Sequence, residues 1–404
     1  MLAGEAAMTP RSNLGTMLRI LAAGAVLGLS AAPPSTRTHL AQSVPVETGL
    51  GDPGLPYAKD VWVDMIRSAR RTLDFGEFYV TNRPHSALEP VLAELEKAAA
   101  RGVRIRFLLS AKMLAQDPAS VARLKAIRGA EVRSFDLTGV SGGILHAKYF
   151  LVDGREVYFG SQNFDWRALE EIHELGMRTT DPRLVDPLKE IFGVDWRFAE
   201  THKVPNLPKA AVPLTARPDA ELVASPPFLT PGNIRPALGA LVELLGQAKQ
   251  RIRVQLLTYS PVAGQDRLWP VLDNALRAAA VRGVKVQLLV SDWVLGGRAL
   301  PHLKSLVLIP NLEVRIVSIP EASEGHIPHA RTVHSKYLVV DDDVLWLGTS
   351  NWEESYFADS RNVEAILRDP VMAAQGAAIF DRLWGSRFAF PLDPGKTYEK
   401  RKVD

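Results

Sequence analysis

Two histidines stand at the head of matching segments, His146 in HAKYFLVD and His334 in HSKYLVVD, and each is followed by a lysine (Lys148, Lys336) and then an aspartate (Asp153, Asp341). On a strand, residues two apart share a face, so each His and Lys can address one ligand. The chemistry these types suit is cleavage of a phosphodiester. Its negative charge repels hydroxide, so attack needs a positioned nucleophile, a proton donor for the leaving oxygen and a cation on the non-bridging oxygens. An imidazole can attack phosphorus and a second, protonated one can release the leaving group. A lysine can hold a phosphate oxygen. Each segment has one such histidine, so the reaction as drawn needs both. After each segment a Gly-Ser or Gly-Thr-Ser turn leads to an asparagine, which makes Asn163, Asn351, Ser161 and Ser350 candidate phosphate ligands. Asp153 and Asp341 are counted with the catalytic motif, at the strand end where they would brace the turn and the lysine charge. This chemistry requires no metal or other cofactor, and the sequence has no His-Glu-x-x-His or Asp cluster with metal-ligand spacing.

An imidazole that works through one ring nitrogen needs a partner on the other, and a carboxylate is the usual choice. Glu174 in IHELGM and Glu364 in RNVEAIL are the expected partners, each in an apolar, strand-like setting. Their spacing from the motifs differs by two residues between the halves. His173, His326 and His329 lie near the motifs but repeat no pattern. Most of the aromatics Tyr79, Phe164, Trp166, Tyr259, Trp293 and Trp352 are expected in the core, where any that face the site could stack a base or touch an acyl chain.

The elements that must position these residues occur twice. Val61 to Arg71 has helical spacing, LDFGEFYVT reads as a strand, Leu88 to Arg101 as a helix and GVRIRFLLS as a buried strand. Later, LGALVELLGQAK, RIRVQLLTYS, WPVLDNALRAAAVR and GVKVQLLVS repeat that order, and EVRSFDL matches EVRIVSI. His146, Lys148, Asp153, Gly160 and Asn163 each recur at a constant offset of 188 residues. The chain is therefore two fused copies of one α/β unit. Alternating strands and helices predict a mostly parallel sheet flanked by helices in each lobe, with the site where the lobes meet.

The length of 404 residues and 47% hydrophobic composition suit two such lobes, expected over 59–200 and 236–392. The proline-rich stretch 201–235 reads as a linker, 33–58 as an N-terminal extension and 393–404 as a tail. Arg11 and Arg19 beside the apolar run Ile20 to Leu29, with small residues after it, read as a signal peptide over 1–32. That run falls short of the roughly 20 residues a bilayer requires, so export to the periplasm or medium is expected rather than anchoring. A net charge of +3, from 48 basic and 45 acidic residues, gives no general argument for duplex DNA binding. The absence of cysteine excludes disulfides and thiolate chemistry.

The paired His-x-Lys-x-x-x-x-Asp motifs, each followed by Gly-Ser/Thr and Asn, resemble the phospholipase D superfamily. GSQNFDWRALEEIHELGM and IPHARTVHSKYLVVDDDVLWLGTSNW are similar to the branch that holds the animal lysosomal single-strand exonucleases and the poxvirus envelope phospholipases. The likeness runs from about Val46 to about Trp384. It implies a bilobal, metal-independent phosphodiesterase with a covalent phosphohistidine on His146 and with His334 as general acid. The implied substrate is single-stranded nucleic acid or phospholipid, the latter with membrane contact and possible transfer to an alcohol. A phosphate-binding scaffold without turnover is the remote alternative.

Overall fold

The structure, a computed structural model, describes residues 37–207 and 217–404, so the expected signal peptide and part of the proline-rich stretch lie outside the described residues. In the first lobe the principal elements are β1 (Thr38–Ser43), α1 (Ala58–Ser68), β2 (Thr72–Glu77), α2 (Glu89–Ala100), β3 (Arg104–Ser110), β4 (Ala130–Phe135), β5 (Tyr149–Val152), β6 (Glu156–Gly160), β7 (Glu174–Thr179) and α3 (Pro182–Thr201). The second lobe repeats them as β8 (Ala220–Ser225), α4 (Ala237–Gln247), β9 (Arg251–Leu256), α5 (Val271–Val281), β10 (Lys285–Ser291), β11 (Leu312–Val317), β12 (Lys336–Val340), β13 (Val344–Gly348), β14 (Asn362–Leu367) and α6 (Pro370–Trp384), and adds β15 (Ala389–Pro391). The first sheet has the order β1-β7-β6-β5-β2-β3-β4. The second runs from the short strand Arg235–Pro236 through β8-β14-β13-β12-β9-β10-β11 to β15.

The two α/β lobes stand as the sequence predicts, but the sheets are mixed rather than mostly parallel. Within these two sheets, parallel pairing is confined to β2-β3-β4, β9-β10-β11 and the short edge strand beside β8. The motif strands cause the difference. β5 and β12 each turn back at the motif aspartate into β6 and β13, and a tight turn can join only antiparallel neighbours. Two of the expected boundaries also shift. The "extension" contains β1, which pairs antiparallel with β7, and the "linker" contains β8, which pairs in the same way with β14. The prolines that suggested a linker flank the strand AELVAS on both sides, from Pro205 to Pro218 before it and from Pro226 after it. The C-terminal tail packs back, with Tyr398 stacked on Phe390 and Arg401 paired with Asp292.

Helices α3 and α6 close the lobes against each other. Each starts with an Asp-Pro pair whose aspartate caps the first turn: Asp181 accepts from the Arg183 N–H, and Asp369 from those of Val371 and Met372. Their apolar faces, including Leu188, Phe192, Phe380 and Leu383, share one core with Tyr149 and Phe159 of the first sheet and Tyr337 and Leu347 of the second. Each such Leu or Phe contributes about 1.5–3 kcal/mol. Gly376 permits this contact, because a Cβ there would lie 2.9 Å from Leu345 Cδ1. Outer cores under α1 and α2, and under α4 and α5, complete the lobes.

A buried ion pair crosses this shared core. Arg361, just before β14, donates to Asp195 of α3 at 2.7 Å, and neither side chain is solvent-exposed. The remaining guanidinium hydrogens reach the Ser225 and Leu229 carbonyls at 2.7 and 2.8 Å. Asp195→Ala leaves that cation buried without its counter-charge. It should cost about 3–5 kcal/mol, read as a lower midpoint in urea unfolding.

Candidate active site

Each motif histidine is clasped by backbone from the opposite lobe. The His146 N–H donates to the Arg361 carbonyl at 2.9 Å, and the Arg361 N–H returns a bond to Ile144 at 2.9 Å. The mirror contact joins the His334 N–H to the His173 carbonyl and the His173 N–H to Thr332, both at 2.9 Å. His173 and Arg361 lie just ahead of β7 and β14. Residues from both halves thus converge on one buried centre, with His146, Lys148, His334 and Lys336 all under one-tenth exposed.

The imidazoles have unlike partners. His334 Nδ1 lies 2.9 Å from both Glu174 oxygens and 3.1 Å from the Ser161 carbonyl. His146 Nδ1 lies 3.0 Å from Asn362 Oδ1. That oxygen also accepts from the Thr349 hydroxyl at 2.9 Å, while the Asn362 NH2 group donates to the Tyr356 carbonyl at 2.8 Å. The amide is therefore oriented to accept, which puts the proton on His146 Nδ1 and leaves the Nε2 lone pair for the site.

This corrects the expected pairing of Glu174 with Glu364. Glu174 orients the histidine of the other half, and its counterpart at the 188-residue offset is Asn362. Glu364 instead accepts from the Ser350 hydroxyl. It stands beside Gly348 in the strand register, where a Cβ would meet its Cγ at 2.1 Å, and its first-lobe counterpart is Gly176. The expectation matched residues by charge when the register matched them by position.

The hydroxyls and aspartates also take other places. Ser161 Oγ donates to the Leu175 carbonyl and accepts from the Leu175 N–H, both at 3.1 Å, so Ser161 and Ser350 tie their turns to neighbouring strands instead of facing a phosphate. Asp153 accepts backbone N–H groups of Arg71 at 2.7 Å and Thr72 at 3.0 Å, and Asp341 those of Gln250 at 2.7 Å and Arg251 at 2.9 Å. Both aspartates have left-handed backbone, φ +53°, at the hairpin turn. They lock each motif strand to the start of β2 or β9 and do not touch the lysines.

The asparagines are placed differently. Asn163 and Asn351 are buried with side-chain oxygens that find no partner among the described residues. Lys336 Nζ also has none, while the Lys148 ammonium donates to the His146 carbonyl and sits 5.2 Å from the Phe78 ring centre. Two aromatics that motif reasoning missed flank His146: Phe78 and Tyr356 meet its ring edge-on at 5.1 and 4.8 Å. The repeat offset could have found Asn362, but no local signal marks these two rings.

Burial dominates the charge balance. It pushes both imidazoles well below their usual range, with the two lysines adding to the effect. It lowers Lys148 strongly, lowers Lys336 to about 7 and raises Glu174 to about 8. An empty centre therefore favours uncharged groups. An entering anion supplies the counter-charge that restores the cations.

Comparison with known proteins places this geometry. A family profile described as "Cardiolipin synthase, PLD-like domain" matches residues 62–196 and 241–384. Phospholipase D Z of Dictyostelium discoideum is 31% identical over 388 residues, covering 88% of this chain and 90% of that protein. The human 5′-3′ exonuclease PLD4 is 30% identical over 411 residues, covering 89% and 79%. The human 5′-3′ exonuclease PLD3 is 30% identical over 401 residues, covering 88% and 80%. Among solved structures, phosphatidylserine synthase of Haemophilus influenzae superposes with a TM-score of 0.57 at 14% identity over 83% of this chain and 85% of that one, a likeness of fold. With these relatives and paired His-Lys motifs at the lobe junction, the protein is a phosphoric diester hydrolase. The chain belongs to the phospholipase D superfamily, in the branch that includes the PLD3 and PLD4 exonucleases.

The unlike partners of the two histidines can be tested directly. Asn362→Asp puts a carboxylate on His146 and raises its pKa, so the acid limb of kcat/KM, where His146 must be neutral, should move up by about one pH unit. An unmoved limb would count against His146 as the group that must be neutral.

Proposed function

We propose that the protein hydrolyses single-stranded nucleic acid through a phosphohistidine on His146, with His334 as the acid. The observation that carries the role split is the asymmetry behind the rings. Once a phosphodiester has entered, the proton held between Glu174 and His334 favours the imidazolium, which suits a proton donor, whereas the neutral Asn362 amide leaves His146 Nε2 unprotonated. His146 Nε2 attacks phosphorus, the bond to the leaving oxygen breaks and His334 gives that oxygen its proton. Water then attacks the phosphohistidine as His334 takes back a proton, and cleavage of the P–N bond frees the phosphomonoester. Lys148 and Lys336, with the Asn163 and Asn351 amides, hold the non-bridging oxygens throughout.

Two observations support nucleic acid as substrate. Relatives covering most of this chain are named 5′-3′ exonucleases. The half-buried rings of Phe78 and Tyr356 beside His146 suit the stacking of a base, which requires no particular sequence. The lipid reading draws on the name phospholipase D Z and would add contact with a membrane surface. We read the protein as exported, from the basic and apolar residues near the N-terminus; no helix among the described residues is long and apolar enough to cross a membrane.

Purified protein should shorten single-stranded oligonucleotides in the presence of a chelator, and release of head groups from phospholipid vesicles in place of shortening would transfer the assignment to lipid. His146→Ala should lower turnover by at least about a thousandfold and leave no acid-labile phosphoenzyme. His334→Ala should lose far more activity on natural diesters than on a p-nitrophenyl ester, whose leaving group needs no proton; equal losses would contradict the acid role.

A further inference from the structure

In each sheet, one row of cross-strand neighbours contains the motif lysine. In the second lobe, Lys336 pairs with Gly348 and Gly348 with Glu364, while the register of β9 with β12 carries Leu256 to the other flank of Lys336. In the first lobe, the Gly160 N–H bonds the Lys148 carbonyl at 3.2 Å, Gly160 pairs with Gly176, and the register of β2 with β5 carries Glu77 beside Lys148. Directly opposed residues on antiparallel strands share a face. The rows therefore read Glu77-Lys148-Gly160-Gly176 and Leu256-Lys336-Gly348-Glu364.

Glu77 is 1% exposed, and its Oε2 has no hydrogen-bond partner among the described residues. A carboxylate so placed is costly unless a cation answers it. The charge that acts on it is Lys148, which lowers its pKa against the larger effect of burial. Burial and the like charge of Lys336 lower the Lys148 pKa, and the opposing pull comes from Glu77 and Glu174. Glu174 is already engaged with His334, and the reaction as derived above uses Glu77 nowhere.

We infer that Glu77 is a positioning residue: seated beside Lys148 in its strand row, its carboxyl opposes the neutralising effect of burial on that lysine, whereas Lys336 has Leu256 at the matching place. The two lysines then differ in what offsets their burial on the side of β2 and β9. This rests on the phosphodiester reading of the same centre.

The test is oxyanion binding as a function of pH, with inorganic sulfate as probe because its charge is constant across the neutral and alkaline range. Calorimetry on the full chain should show binding that is lost as pH rises, and Lys148→Ala should abolish it. A carboxylate raises the pKa of a neighbouring ammonium, so Glu77→Gln should lose binding at a pH about one unit lower. Glu77→Asp, which keeps the charge at a longer reach, should show less than half that shift and carries the test if the glutamine variant does not fold. An unshifted alkaline midpoint in the folded variants overturns the inference, as does sulfate binding that survives Lys148→Ala. Turnover of bis(p-nitrophenyl) phosphate by the unaltered protein is scored separately: its absence counts against the hydrolase reading and leaves the sulfate result to judge Glu77.

Discussion

Two reciprocal pairs of backbone hydrogen bonds, Ile144 and His146 with Arg361 and Thr332 and His334 with His173, fix where both imidazoles can be. They work because each motif histidine is reached by an irregular segment ahead of its own strand, so its amide is free to bond elsewhere. The residue that receives the bond stands just ahead of a strand of the other lobe. The same two strands then begin with Asn362 and Glu174, the residues that orient the rings. One contact thus sets position, tautomer and polarity together, and the Arg361–Asp195 pair anchors one side of it inside the shared core.

The centre built there is electrostatically incomplete when empty. Two imidazoles, two lysines and Glu174 are held away from water, and burial drives each toward its neutral form. A phosphodiester brings the charge that two lysines and a proton-bearing histidine answer. Water excluded in advance has no reorganisation left to do during attack, which is where a preformed polar site gains over bulk solvent.

The sequence exposed the parts of this arrangement that repeat and hid those that differ. The motif residues recur at one offset with the same chemistry, so their convergence could be expected. The helix-connected strands could be read because their apolar runs are long. The partners of the imidazoles could not be matched by type: position 174 holds a carboxylate, position 362 an amide, and the second carboxylate, Glu364, belongs to another row. The outer strands β1 and β8 are masked by flanking prolines and a neighbouring loop-like composition, since a strand near the edge of a sheet needs little apolar length. Ser161, Ser350, Asp153 and Asp341 look catalytic by proximity along the chain, yet their hydrogen bonds are spent on backbone or on Glu364.

The inequality of positions 174 and 362 also bears on ancestry. An interface of identical subunits related by a two-fold axis presents the same residue to both histidines, so neither can be committed as nucleophile or as acid before substrate binds. Joining the copies in one chain removes that constraint. Each half can then drift independently, and a single substitution of amide for carboxylate is enough to make the two imidazoles chemically unequal.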